Sequence, residues 1–212
     1  MNIADLKIND FIGKLESAAP TPGGGSVSAL AIALGISLVQ MVINISVSKK
    51  KFKALPENDQ SEVFAAAEAL AGFKEEALGL ADRDAEAYTE VLSAFKLPQE
   101  SETEKAARMQ AILSATLKAA DVPLKTADVG YTALFKTQVV YPYAHKNAIS
   151  DLGVGVKLIT AGIAGAAMNV RINMKDFPDA SVEKEYLEKI ETLEKTARQA
   201  GEVVLAFVAR NL

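Results

Sequence analysis

Pro20-Thr21-Pro22-Gly23-Gly24-Gly25-Ser26, leading into the uncharged run Val27–Ser48, is the stretch that decides the fold. The two prolines forbid a helix, and the three glycines allow positive φ or the close approach of another group. Ser26 reads as the N-cap of the helix behind it. That run is rich in Ala, Leu, Ile and Val and ends on Lys49-Lys50-Lys51. A helix from Ser26 to Phe52 would be roughly 40 Å long. With no charge on any face it is expected to be buried nearly all round, wrapped by the other segments. Ser37, Gln40, Asn44 and Ser48 recur at helical spacing along it and are expected to line a polar pocket. A polar stripe argues against a lone membrane span, although the length alone would allow one.

Working outward, residues 3–16 read as a first amphipathic helix, with Ile8, Phe11, Ile12 and Leu15 on one face. Pro56 and Asn58-Asp59 start a third helix over 58–96, which stops before Pro98. Its apolar stripe is Leu70, Phe73, Ala77, Leu80, Tyr88, Val91 and Phe95, and Asp84 fills the gap in phase. A carboxylate therefore occupies the face that should point inward. Asp82 lies about 160° away, on the flank. A fourth helix opens at Ser101 and runs to 140, with Pro123 expected to kink or split it. After the Tyr141–Lys146 loop, a fifth helix over 147–174 carries Asn147, Asp151, Gly155, Leu158, Gly162, Gly165, Asn169 and Asn173 along one face. Glycines in a helix interior cost about 1 kcal/mol each, so that face is expected to meet a helix or a ligand closely. A last amphipathic helix, 181–211, covers the bundle.

These readings give an all-α, single-domain bundle of five or six long helices over residues 1–212. The chain has 212 residues, half of them apolar, no Cys and a single His, His145. Thiolate chemistry, Cys-ligated metal and a multi-His metal site are excluded. The net charge of −4 gives nucleic-acid binding no global support. The N-terminus lacks the basic start and apolar centre of a signal peptide, so a cytoplasmic location is expected.

Each candidate site residue has a structural reading beside its functional one. The loop Gly23, Gly24, Gly25, Ser26 would bind an anion through helix N-terminal N–H groups, or would simply make a tight turn. It is neither a Walker A loop nor a dinucleotide fingerprint. Lys49, Lys50 and Lys51 would attract an anionic substrate tail, or would cap the helix C-terminus. Asp84, in an apolar environment, would act as a general acid/base, or would pair structurally. His145 reads as a surface or packing residue.

Several motifs, in order along the chain, resemble the formimidoyltetrahydrofolate cyclodeaminase / methenyltetrahydrofolate cyclohydrolase family, which includes the C-terminal domain of formiminotransferase-cyclodeaminase. They are Ala19–Leu30, Lys50-Lys51-Phe52, Asp82-Arg83-Asp84-Ala85-Glu86-Ala87-Tyr88, Leu97-Pro98, Val122-Pro123-Leu124, Asn147–Asp151 and Asn169–Asn173. The resemblance covers nearly the whole chain. It implies an all-helical homodimer that acts on a tetrahydrofolate derivative as substrate, with no metal or redox cofactor. It places the active-site aspartate on Asp84, with Asp82 as a second catalytic candidate. Candidates for substrate contacts are the glycine loop with Ser26, the three lysines, and Asn147, Asp151, Asn169 and Asn173. One departure stands out: Ala144-His145-Lys146-Asn147 occupies a place where relatives often read Gly-Asn-Lys-Asn. Altered specificity or reduced activity is expected if those positions contact substrate. The alternative is a non-catalytic folate-binding or interaction bundle.

Overall fold

The computed structural model of the chain describes residues 3–212. Its helices are α1 (Ile8–Leu15), α2 (Gly24–Val47), α3 (Lys50–Lys53), α4 (Glu57–Phe95), α5 (Glu102–Val140), α6 (Ile149–Met174) and α7 (Ala180–Asn211). Short 3₁₀ turns cover Ile3–Asp5, Tyr141–Tyr143 and Lys146–Ala148. The described residues contain no strand. The all-α expectation holds, with five long helices.

α2 and α6 are the central pair and make the most extensive helix contact. They run antiparallel, and glycines set their separation. A Cβ on Gly35 would lie 2.5 Å from Gly155 O, and one on Gly162 would lie 2.6 Å from Ser28 O. The glycine face of α6 therefore meets α2, backbone against backbone. α4 lies along α2, α5 closes the far side against α4 and α6, and α7 packs on α5 and α6. One apolar cluster runs through all five, with Ile32, Ile36, Leu70, Leu80, Leu134, Ile159 and Ile163 fully buried. α2 and the 146–174 segment have the length and composition to cross a membrane; here they pack on each other in the centre of the bundle.

Local chemistry sets the helix ends. Ser101 caps α5 in a capping box with Glu104. Asp179 caps α7 by accepting from Ser181 and Val182 N–H; the Ser181 hydroxyl, then these N–H groups, hold its carboxyl below the usual range. α5 runs through Pro123 as one helix. Proline has no N–H, so Ala119 O loses its i+4 donor. Asn173 Nδ2 supplies the replacement, donating to Ala119 O at 2.6 Å.

Several expectations fail here. α2 begins two residues early, with Gly23 as N-cap, so Ser26 is the third residue of the helix and not its cap. The described glycines show no positive φ; Gly25, Gly35, Gly155 and Gly162 serve close approach instead. α2 is not buried all round, because Leu34, Ser37, Met41, Asn44 and Ser48 form an exposed face. Its polar stripe lines only an open groove, where Ser37 and Ser48 bond back to Ala33 O and Ile45 O. The first helix is shorter than expected. Its apolar residues Ile8, Ile12 and Leu15 are exposed, because no element packs over them. The inward stripe of α4 ends early as well, with Tyr88 and Phe95 exposed.

Candidate active site

α4 carries Asp84 to the first turn of α2. A Cβ on Gly25 would lie 1.9 Å from Asp84 Oδ1, so only glycine leaves room for the carboxyl. Ser26, fully buried, places its hydroxyl 3.0 Å from Asp84 Oδ2 and 2.9 Å from Ala81 O. Ser26 also donates its backbone N–H to Asp84. The positive end of the helix thus meets an anion, as glycine-loop helix starts favour, and the anion belongs to the chain itself. Burial pushes the Asp84 carboxyl above its ordinary value; the side-chain and backbone hydrogen bonds from Ser26 oppose that rise. A carboxyl raised in this way holds a proton more readily than an exposed one, which is the direction a general acid/base needs. Asn169 of α6 lies beside Gly24, whose Cβ position is 3.5 Å from its amide nitrogen; that nitrogen donates to Gly165 O.

A second cluster forms at the opposite end of the α2–α6 pair. α2 spans 24 residues, about 36 Å. Past its C-terminus lies a cavity of about 450 Å³ lined by Lys49, Lys51, Lys146, His145, Phe52 and Tyr143, among others. No carboxylate lines it. Among the described residues, none of these lysines forms an ion pair. Ser46 accepts from His145 N–H at 2.8 Å and so ties the loop to α2. His145 Nδ1 accepts from Asn147 N–H, which leaves Nε2 as the ring's other polar atom. Phe52 and Tyr143 meet edge to face, with ring centroids 6.4 Å apart. Burial, then the Asp59 carboxylate, pushes the Tyr143 phenol up. Unpaired cations with aromatic walls suit an anionic ligand with a flat or apolar part.

The residues named from sequence therefore divide between two places. Gly23, Gly24, Gly25, Ser26, Asp84 and Asn169 gather at one end. Lys49, Lys50, Lys51, Asn147 and Asp151 sit at the other, and cannot share a pocket with Asp84 of the same chain. Asp82 has a tethering contact: its Oδ1 accepts from Ile3 N–H at 2.6 Å and pins the N-terminal turn to α4. Asn173 is engaged with Ala119 O of α5. Asp151 lies in the first turn of α6, where a carboxylate complements the helix dipole. Sequence reasoning does not reach Lys146, Tyr143 and Ser46. The Ser46–His145 bond joins residues 99 apart in sequence, so no periodicity could reveal it.

A profile described as Formiminotransferase-cyclodeaminase matches residues 7–192. The chain belongs to this family. It is 37% identical over 186 residues to a methenyltetrahydrofolate cyclohydrolase of Methylorubrum extorquens, covering 88% of each chain. It is 30% identical to the rat formimidoyltransferase-cyclodeaminase, matching 96% of this chain but only 37% of that longer protein. The crystal structure of a formiminotetrahydrofolate cyclodeaminase from Thermotoga maritima superposes with a TM-score of 0.85 at 26% identity, covering 98% of both chains.

Proposed function

We propose that this chain is a folate one-carbon enzyme acting at the N5/N10 bridge of tetrahydrofolate. It either releases ammonia from formimidoyltetrahydrofolate to give 5,10-methenyltetrahydrofolate, or hydrolyses the methenyl bridge. The observation that carries this reading is Asp84, a half-buried carboxyl held on the α2 N-terminus in a chain whose relatives bear those two names. In the first reaction N10 attacks the amidine carbon on N5 and the new C–N bond forms. The N10 proton moves to the departing nitrogen, the C–NH₂ bond breaks, and ammonia leaves. Asp84 takes that proton and returns it, so the carboxyl is regenerated. In the second reaction water adds to the methenyl carbon as Asp84 accepts one of its protons; one C–N bond then breaks, the departing nitrogen takes that proton from Asp84, and the remaining hydroxyl proton is released as the formyl C=O forms. Holding N10 against the carbon supplies much of the acceleration in such a ring closure.

The working form in this proposal is a homodimer. The lysine end lies too far from Asp84 for one bound folate to span both within a subunit. Between the two ends runs an exposed, largely uncharged face, with Leu34 and Met41 from α2 and Val154, Met168 and Ile172 from α6. A second copy docked antiparallel about a two-fold axis would cover this face on both chains. It would also bring the second copy's Lys49, Lys51 and Lys146 toward Asp84, where the substrate's carboxylate tail needs cations. The Ala144-His145 departure falls in the cation cavity. In this reading it alters tail recognition and leaves proton transfer untouched.

Appearance of the methenyl chromophore on adding formimidoyltetrahydrofolate establishes the deaminase. Its accelerated loss on adding methenyltetrahydrofolate establishes the hydrolase. Mixing Asp84→Asn protein with a Lys49→Ala/Lys51→Ala/Lys146→Ala variant, assayed at substrate well below the wild-type KM, where both parents are impaired, tests the shared site. Random reassortment should restore about a quarter of the wild-type sites if each site draws on two chains. No recovery from the mixture sinks the two-chain arrangement.

A further inference from the structure

The buried hydroxyl of Ser26 has more acceptors than protons. It lies 2.9 Å from Ala81 O and 3.0 Å from Asp84 Oδ2, and it has one proton to give. We propose that Ser26 is a positioning residue for proton transfer: its hydroxyl gives its proton to Asp84 Oδ2 in both protonation states, leaves Oδ1 to take and return the transferred proton, and so holds the carboxyl in one orientation through the cycle. This rests on Asp84 being the proton carrier.

The two states are each fully paired. With Asp84 ionised, the hydroxyl donates to Oδ2, and Ala81 O keeps its own partner in the interior of α4. With Asp84 neutral and the transferred proton on Oδ1, the hydroxyl still donates to Oδ2, now the carbonyl oxygen of the acid. A buried carboxyl without such a partner would leave a polar atom unpaired. Alanine could not do this. The backbone completes the arrangement. Ser26 N–H donates to the same carboxyl, and Gly25 leaves it no side chain to displace it. Three consecutive positions of the glycine loop thus have distinct tasks. Gly24 abuts Asn169, Gly25 makes room, and Ser26 holds Oδ2.

Ser26→Ala tests this, read as kcat, KM and the pH–rate profile. A kcat lower by at least about tenfold is expected, with KM held within about twofold. The limb governed by Asp84 should move to higher pH, because the ionised form has lost a donor. Ser26→Thr, which keeps the hydroxyl, should recover most of the lost kcat. Because the added methyl has little room, the Asp84 carboxyl ¹³C resonance is titrated in wild type and Ser26→Ala as a second readout, and it should show the same upward shift. An unmoved titration, or a lower kcat with an unmoved profile, overturns the proposal. Asp84→Asn separates the two levels. If it turns over normally, the acid/base reading itself falls. If it is inert while Ser26→Ala behaves as wild type, only the role of Ser26 falls.

Discussion

The two ends of the α2–α6 pair use the same motif class, a helix terminus beside a loop, for opposite purposes. At the Asp84 end the terminus is closed: Gly25 is filled by a carboxyl, and Ser26 is spoken for by hydrogen bonds inside the chain. At the Lys49 end it is open: a cavity, three cations and no counter-charge on its walls. The difference teaches that a glycine-rich helix start need not recruit an external anion. It can instead fix an internal one and tune it, while the lysines at the far end are left without a counter-charge.

The largest expected effect lies at the closed end. Asp84→Asn should lower kcat by about 10²- to 10⁴-fold, the usual contribution of a positioned acid/base. The same change should stabilise the fold at alkaline pH. A carboxyl whose folded pKa is raised favours folding below its unfolded value, and that contribution is lost as pH rises through the folded value. A higher Tm than wild type at pH above neutrality, shrinking toward the ordinary carboxylate range, is the expected pattern. Equal Tm differences at both pH values would contradict the buried, raised carboxyl.

Next comes the contrast between neighbouring glycines. Gly25→Ala pushes the Asp84 carboxyl aside, and a displacement of about 1 Å is expected to lower kcat about a hundredfold. Gly24→Ala meets Asn169 at ordinary contact distance and should stay within about 0.5 kcal/mol of wild-type stability. Similar kcat values for the two variants would show that the crowding at Gly25 is irrelevant to catalysis.

At the open end, Lys49→Ala/Lys51→Ala/Lys146→Ala should raise KM about tenfold with kcat nearly unchanged, the signature of lost uniform binding. Added salt should raise the wild-type KM and move the variant's less. A fall in kcat at constant KM would place these lysines in the chemistry instead.

The smallest effect concerns stability alone. Asn173→Ala leaves Ala119 O without its donor and should cost about 1–3 kcal/mol in denaturant unfolding. Adding Pro123→Ala restores a backbone N–H for that carbonyl, so the double variant should recover most of the loss. Additive losses would show that the two residues do not compensate each other.

Legibility in the sequence differs by residue. Asp84 is legible because it stands in phase with Leu80 on an apolar stripe, and a charged group there must be handled by the fold. The glycine stripe of α6 announces a close contact, and its spacing matches a helix face. That the contact is α2 and not a ligand depends on Gly35 and Ser28, more than a hundred residues away. Asn173 looks like a ligand contact because polar residues at a helix end usually face solvent or substrate; its partner exists only because Pro123 orphans a carbonyl on another helix. The lysines are legible as free cations but not as residents of the far end, since sequence order says nothing of which ends of long helices meet.

By itself the sequence determined the helices. Their periodicity, their breaks at Pro and Gly, and the wholly uncharged second segment leave little freedom, because local backbone and apolar patterning act within a few residues. It also determined the family, through an ordered set of motifs. Only the tertiary structure decided what each motif faces. Antiparallel packing of α2 on α6 put the glycines between backbones, Asp84 under Ser26, and the lysines about a helix length away. Those pairings join residues tens to more than a hundred positions apart, and no local pattern encodes them; they depend on how long, stiff helices find room to bury their faces together.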